Sequence, residues 1–437
     1  MNGKQILGHP AGLAVLFFTE LWERFAYYGM RAIIVLYMAA SIDSGGLGWS
    51  DAMSLSVYGW FGLSVYLMSI PGGFISDKWL GQKKSIFLGG FFLCGGHLLL
   101  AYPPVWAFYL SLALITIGVG LHKPTISAIV GELYPDGDPR KDSGYTIFYM
   151  GINIGAFFSS LATGYLAYKY GWSYGFLIAG IGMVVGQVTY ITGLGWIKDV
   201  GNAVTSEKTG EGATKEKVPF TPLEKKRLGL VLFSFFIVLV FWAAFEQAGG
   251  LLNLYTERFT DRNFLGFDIP TAWFQSLNPL YIMIFAPPVA AFWVYIARKK
   301  KEPSAIAKMG LGTLILGIGF IFMVGAVLQR DGSDIGKSSM HWLMFAYFFH
   351  TIGELALSPV SLSFITNMAP KRISSQVMGW YFAVTGVGGL LAAKIGIFAE
   401  FSGELTVFGS IAVFTIVFGA LLMIIAPFVN KMARVSN

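Results

Sequence analysis

Charge and cysteine are what this chain has least of. Asp, Glu, Lys and Arg supply only 13% of its 437 residues, against 55% that are apolar, about half the charged share of an ordinary soluble domain. That balance excludes a water-soluble globular fold, because there is too little polar surface to cover so many apolar side chains. Cys94 stands alone in an apolar run, which excludes a disulfide framework and a cysteine metal site and leaves a packing role. The chain has no H-E-x-x-H, no phosphate-binding glycine-rich loop and no clustered His/Asp dyad beside an apolar run, so nothing points to an enzyme, a metal or a cofactor. The net charge of +7 does not imply nucleic acid, since the basic residues sit in short loops beside apolar runs. The first apolar run is much longer than a signal-peptide core and is expected to stay in the mature protein.

Long apolar runs are what is there. Stretches near or above the length needed to cross a bilayer occur at 11–41, 50–77, 84–102, 105–131, 143–169, 174–197, 226–258, 272–298, 305–328, 340–367, 374–400 and 404–430. The third and fourth are parted only by Tyr102-Pro103-Pro104. The expected fold class is therefore an all-α polytopic membrane protein with twelve transmembrane helices. With the N-terminus inside, every lysine and arginine falls on the inner side except nine. Lys169, Arg258, Arg262, Arg330 and Lys337 lie outside, and Arg24, Arg31, Lys123 and Lys394 lie within spans. An odd number of helices would destroy this asymmetry. Residues 198–225 are polar and rich in Gly, Pro and Lys, and read as a linker between two six-helix bundles, 1–197 and 226–437.

Within the first run stand Glu20, Glu23, Arg24, Tyr27, Tyr28 and Arg31. A helix turns about 100° per residue, so Glu20, Arg24, Tyr27 and Arg31 share one narrow stripe. Ionisable groups at that depth are costly and mark an ion, proton or substrate path. The alternative for any one of them is a structural ion pair between helices.

The motif E-x-x-E-R-F-x-Y-Y-G at Glu20–Gly29 resembles the signature of the proton-dependent oligopeptide transporters, a branch of the major facilitator superfamily. Other segments extend the likeness. Gly73-Phe74-Ile75-Ser76-Asp77-Lys78-Trp79-Leu80-Gly81-Gln82-Lys83-Lys84 is similar to the superfamily's inner loop. Gly118-Val119-Gly120-Leu121-His122-Lys123-Pro124 is similar to G-x-G-x-x-K-P, Phe241-Trp242 through Glu246-Gln247 to F-W-x-x-x-E-Q, and Gly353-Glu354-Leu355 through Ser358-Pro359 to G-E-L-x-x-S-P. Tyr66, Asn153 and Asn278 fall where the family has cavity residues. At 376–389 the chain departs from the pattern: Tyr381 stands at the family's tryptophan with Trp380 one place early, Thr385 fits, and Gly389 replaces an asparagine. These departures bear on side-chain preference. The likeness covers most of the chain and says little about the sixth, ninth and twelfth spans.

The resemblance implies the major facilitator fold and a proton-coupled symporter that imports di- and tripeptides by alternating access around a central cavity. It implies proton coupling through Glu20, Glu23, Arg24, Lys123 and Glu246. Substrate contacts would come from Arg24, Tyr27, Tyr28, Arg31, Tyr66, Lys123, Asn153, Trp242, Glu246, Asn278, Glu354, Tyr381 and Thr385. The cations of the first half and Glu354 of the second match the two poles of a peptide zwitterion. Glu246 is expected to carry the coupled proton, paired with Arg31, and His122 to be structural, since adjacent helix positions diverge by about 100°. Two additional helices that many bacterial members carry at the linker are expected to be absent. The expected setting is a bacterial-type inner membrane, with both termini cytoplasmic, a monomer, and peptides, protons and the lipid bilayer as partners. The rivals are a major facilitator transporter of nitrate or an organic anion, and a membrane-embedded enzyme.

Overall fold

A backbone that leaves water has to satisfy its own N–H and C=O groups, and a helix does so within one segment. The computed structural model describes residues 5–135, 138–201, 220–370 and 373–434, and in it the apolar runs are helical. The helices are α1 (Ala11–Ala39), α2 (Asp51–Ile75), α3 (Gln82–Leu99), α4 (Val105–Glu132), α5 (Arg140–Tyr170), α6 (Trp172–Gly193), α7 (Pro222–Phe245), α8 (Leu251–Phe259), α9 (Leu277–Arg298), α10 (Ala305–Asp331), α11 (His341–Met368), α12 (Ser374–Ser402) and α13 (Glu404–Arg434). Ten helical segments among the described residues are long and apolar enough to cross a membrane, α7 and α8 counting together. The other two of the twelve rods are α1, with its four charged side chains, and the 18-residue α3, whose first turn holds Lys83 and Lys84.

Two departures from the sequence expectation bear on the site and on the linker. The run 226–258 is not one helix: α7 ends at Phe245, a tight 3-10 turn occupies Glu246–Gly249, and α8 starts beyond Gly250. The paired glycines Gly249 and Gly250 are the physical reason, because they remove the side-chain restriction that holds a helix together. The end of the expected linker is also helical, since α7 begins at Pro222. There Thr221 caps the Glu224 N–H, Glu224 caps back, and Pro222 needs no donor in the first turn. The bulk of that linker, with the expected absence of two additional helices, lies outside the described residues.

Two compact units emerge. The first contains 5–201, Leu252–Glu257 and Arg262–Leu280; the second contains the rest of the described chain. In the first, α1 packs on α5 and α6, α4 on α2 and α3, and α3 on α6. One of its cores joins Leu13, Leu16, Ile86, Ile126, Ile129, Phe148 and Tyr190. Asn253 donates to Ala32 O at 2.9 Å and Trp273 Nε1 to Leu161 O at 2.9 Å, which ties the two later segments to α1 and α5. At one end Arg140 donates to Gly8 O at 2.9 Å and to both Asp138 oxygens; these bonds hold the Asp138 carboxyl down to about 2, so the pair stays ionised at any physiological pH. In the second unit α10 packs on α11 and α13, and α7 on α12.

Without a hydrophobic force between helices in lipid, close backbone approach does the holding, and small residues permit it. A Cβ on Gly155 would fall on the Leu21 carbonyl oxygen of α1, and one on Gly72 on the Gly120 carbonyl of α4. A Cβ on Gly62, in contrast, would meet nothing within 4 Å. Gly155→Ala is therefore expected to cost about 1–3 kcal/mol by overpacking and to lower the melting temperature in detergent. Gly62→Ala, on an open helix face, should leave it unchanged or raise it; equal melting shifts for both would refute the packing account.

Candidate functional site

The first unit gathers most of the charged side chains that the sequence singles out. Glu20, Glu23 and Arg24 are 3%, 0% and 4% exposed. Arg24 Nε lies 3.1 Å from Glu20 Oε1, one turn below, and also donates to Glu23 Oε2. Two carboxylates thus converge on one edge of one guanidinium. Among the described residues, Glu20 Oε2, Glu23 Oε1 and Arg24 Nη2 are buried without a hydrogen-bond partner. Orphaned charged atoms at such depth are expensive and call for a partner, be it water, an ion or a ligand.

Lys123 of α4 acts electrostatically on Glu20, and Glu20, Glu23 and Arg24 all act on it in turn. Its ammonium sits over the Tyr66 ring of α2, 4.9 Å from the centroid. Pro124, inside α4, forfeits one helical N–H beside it. Tyr27 and Tyr28 meet edge to face at 5.6 Å, with the Arg24 guanidinium 5.5 and 5.9 Å from their centroids, a cation–π arrangement that neutralises no charge. Arg31 Nε donates to Tyr58 OH at 2.7 Å. The sequence reading did not name Tyr58; a second polar ring on the helix of Tyr66, two turns earlier, was the available signal. Asn153 is buried, and its Nδ2 donates to Tyr149 O at 3.1 Å, so its Oδ1 is the end left for another donor. Asn278, expected beside Glu354, belongs to this first unit, in the segment Arg262–Leu280. His122 is wholly buried, and among the described residues neither ring nitrogen has a hydrogen-bond partner.

The second unit carries the remaining candidates. Tyr381 is 4% exposed, shares a hydrogen bond with Ser361 at 3.2 Å, and has Trp242 and Glu354 as its polar neighbours. Thr385 donates to Tyr381 O at 3.1 Å, one turn along α12. Gly388 packs against Trp242, and its missing Cβ leaves room for the Trp242 Cβ and the backbone of α7. Glu246 is the first residue of the 3-10 turn and lies against Gly389, the position where the sequence departs from its pattern. Gln247 donates to Ala392 O at 2.9 Å and holds that turn on α12. Ser361 was not named from the sequence, because a serine on a membrane helix more often bonds its own backbone. Among the described residues no group of His, Cys, Asp and Glu is arranged to hold a metal.

Known proteins share both sequence and fold with this chain. The model of the POT family matches residues 83–209 and 208–411. The peptide transporter YePEPT of Yersinia enterocolitica is 36% identical, over 90% of this chain and 89% of its own. The di-/tripeptide transporter of Lactococcus lactis subsp. cremoris is 30% identical, over 98% of this chain and 97% of its own. A crystal structure of a peptide transporter POT in complex with sulfate superposes with a TM-score of 0.91 at 34% identity, covering 98% of this chain and 97% of that one. The chain is a membrane protein with the major facilitator fold and belongs to the POT family.

Proposed function

We propose that the protein is a proton-coupled symporter that imports di- and tripeptides, exposing one site alternately to the two sides of the membrane. The observation that carries this reading is the buried Glu20–Glu23–Arg24 cluster, in which two acids share one base and each keeps an orphaned oxygen. Two carboxylates this close repel each other when both are charged, so a proton added to either relieves the repulsion. A peptide carboxylate is the natural partner for Arg24 Nη2, with Lys123 and Arg31 adding positive charge. Glu354, beside Tyr381 and Trp242, is the acid for the peptide ammonium. Asn153 and Asn278 serve the amide, and Tyr27, Tyr28, Tyr66 and Thr385 line the side chains.

Glu246 is the carrier of the coupled proton. It stands at a helix break, where a change of protonation alters both its own surroundings and the course of the backbone. Coupling requires that proton and peptide favour the same conformations, because a ligand without differential affinity shifts nothing. The two halves are 1–197 and 226–437, joined by 198–225. The protein works as a monomer in a bacterial inner membrane with both termini in the cytoplasm, an orientation supported by the lysine-rich inner loops. It performs no covalent chemistry.

Two measurements in liposomes test the reading. Glu246→Gln should abolish uphill dipeptide uptake under an inward proton gradient while exchange of labelled for unlabelled peptide continues; a variant that still concentrates dipeptide would refute the proton role. A second reading, transport of a simple anion, is favoured by the unpartnered Arg24 Nη2 alone. Glu354→Gln separates the two. Loss of a charge-assisted hydrogen bond, ~1.5–3 kcal/mol, should raise the dipeptide KM roughly 10- to 150-fold. Nitrate as the true cargo would show an unchanged KM in that variant and no competition by dipeptide.

A further inference from the structure

At the end of the first unit where α3 begins, a cavity of ≈ 360 Å³ opens between α3 and the turn that follows α6. Leu80, Lys83, Lys84, Phe87, Leu194 and Gly201 line it. None of these residues has a part in the transport reading. The cavity has two chemically distinct sides. Leu80, Leu194 and Phe87 make an apolar side, and Phe87 is 46% exposed on the outer surface of α3. Lys83 and Lys84, one turn before Phe87, make a cationic side.

That shape is built rather than incidental. Lys83 N–H donates to Gly201 O at 3.2 Å, and Lys83 Nζ donates to Lys198 O at 2.7 Å. These bonds pin the 197–201 turn against α3 and keep the cleft open beside it. Tyr190 OH donates to Lys83 O at 2.9 Å, which fixes the same residue from α6. Glu132, the carboxylate tied to this turn, already accepts from Gln82 Nε2 at 2.8 Å and from Gly201 N–H at 2.9 Å, and it does not line the cleft. Asp199 is exposed on the turn and does not line it either. Lys84 is exposed at the rim. The helix start at Gly81 carries no side-chain cap, so the positive end of α3 adds to the two ammonium groups.

The depth of the cleft in the bilayer follows from its neighbours. Trp79 is 73% exposed and Trp196 49% exposed, each two residues or fewer from a lining residue. Exposed tryptophans on a membrane protein mark the level where hydrocarbon gives way to headgroups. At that level the ligand with one apolar and one anionic part is a phospholipid, and basic pockets between membrane helices take anionic headgroups.

We infer that this cleft seats an anionic phospholipid, its phosphate against Lys84, Lys83 and the first turn of α3 and an acyl chain along Leu80, Phe87 and Leu194. The residues that line it are distinct from those of the Glu20–Glu23–Arg24 cluster, and the inference does not depend on which solute is carried.

Native mass spectrometry of the full chain, solubilised in detergent and titrated with phosphatidylglycerol or phosphatidylcholine, tests it. The wild type should retain phosphatidylglycerol in preference to phosphatidylcholine. Lys84→Gln should weaken that retention about fivefold, the effect of one near-surface lysine, and Lys84→Arg should restore it. Lys301→Gln, which removes an exposed lysine from the second unit, is the control and should leave retention unchanged. Equal retention of the two lipids, or equal losses in Lys84→Gln and Lys301→Gln, would overturn the site. Displacement of the lipid by millimolar inorganic phosphate alone would overturn it in favour of a free-phosphate site. Should Lys84→Gln not fold, Phe87→Ser tests the acyl side, where an unchanged phosphatidylglycerol affinity counts against the proposal.

Discussion

Two carboxylates and one guanidinium buried on a single helix of a membrane protein set the terms for the rest of the first unit. Glu20, Glu23 and Arg24 are out of water, and the mutual attraction of such groups repays their desolvation only when the surroundings complete their hydrogen bonds. Here the surroundings complete them only in part, with Lys123 acting from α4 and two tyrosine rings beside Arg24. The helices around α1 have to bring these groups close and keep lipid away. Gly155, which lets α5 approach the Leu21 carbonyl, and Gly29, which leaves room for Thr163 of α5, serve that end. The Thr163 hydroxyl itself donates to Gly29 O at 3.2 Å, so the close approach also gains a hydrogen bond.

The break after α7 plays the corresponding part in the second unit. A helix carrying a carboxylate through apolar surroundings is simplest when continuous, yet the chain interrupts it at Glu246 with a 3-10 turn and two glycines. Gln247, anchored on Ala392 O, keeps the interrupted segment in place. Interrupted helices in membrane transporters are tolerated where freed backbone groups find partners in the protein. Beyond the break, Asn253 is wholly buried and bonds α1, which is why Leu252–Glu257 falls with the first unit although it follows the second unit's first helix in sequence.

Much of this was legible from residue types. The number and order of the rods follow from apolar run length, because a helix is the cheapest way for an isolated segment to leave water. The costly residues of the site were legible for the same reason: charges at Glu20, Glu23, Arg24, Arg31 and Lys123 stand out against a background that has almost none. Tyr58 and Ser361 were not legible, since a tyrosine or serine on a membrane helix is common and its meaning depends on a partner far away in sequence. The lysines of the α3 cleft were read only as the end of the Gly73–Lys84 segment that resembles the superfamily's inner loop. Their shared cavity exists only once Gly201 and Lys198 fold back on them.

Sequence by itself determined that the chain spans a membrane with helices, where each rod runs, and which ionisable side chains had to be sheltered, because each of these depends on hydropathy and periodicity along one segment. The tertiary structure decided which acid shares which base, that the seventh rod breaks at Glu246, and that residues 252–257 and 262–280 pack with the first unit. Those outcomes depend on distances between segments far apart in the chain, fixed by where glycines let backbones meet and where single side-chain hydrogen bonds close the gap.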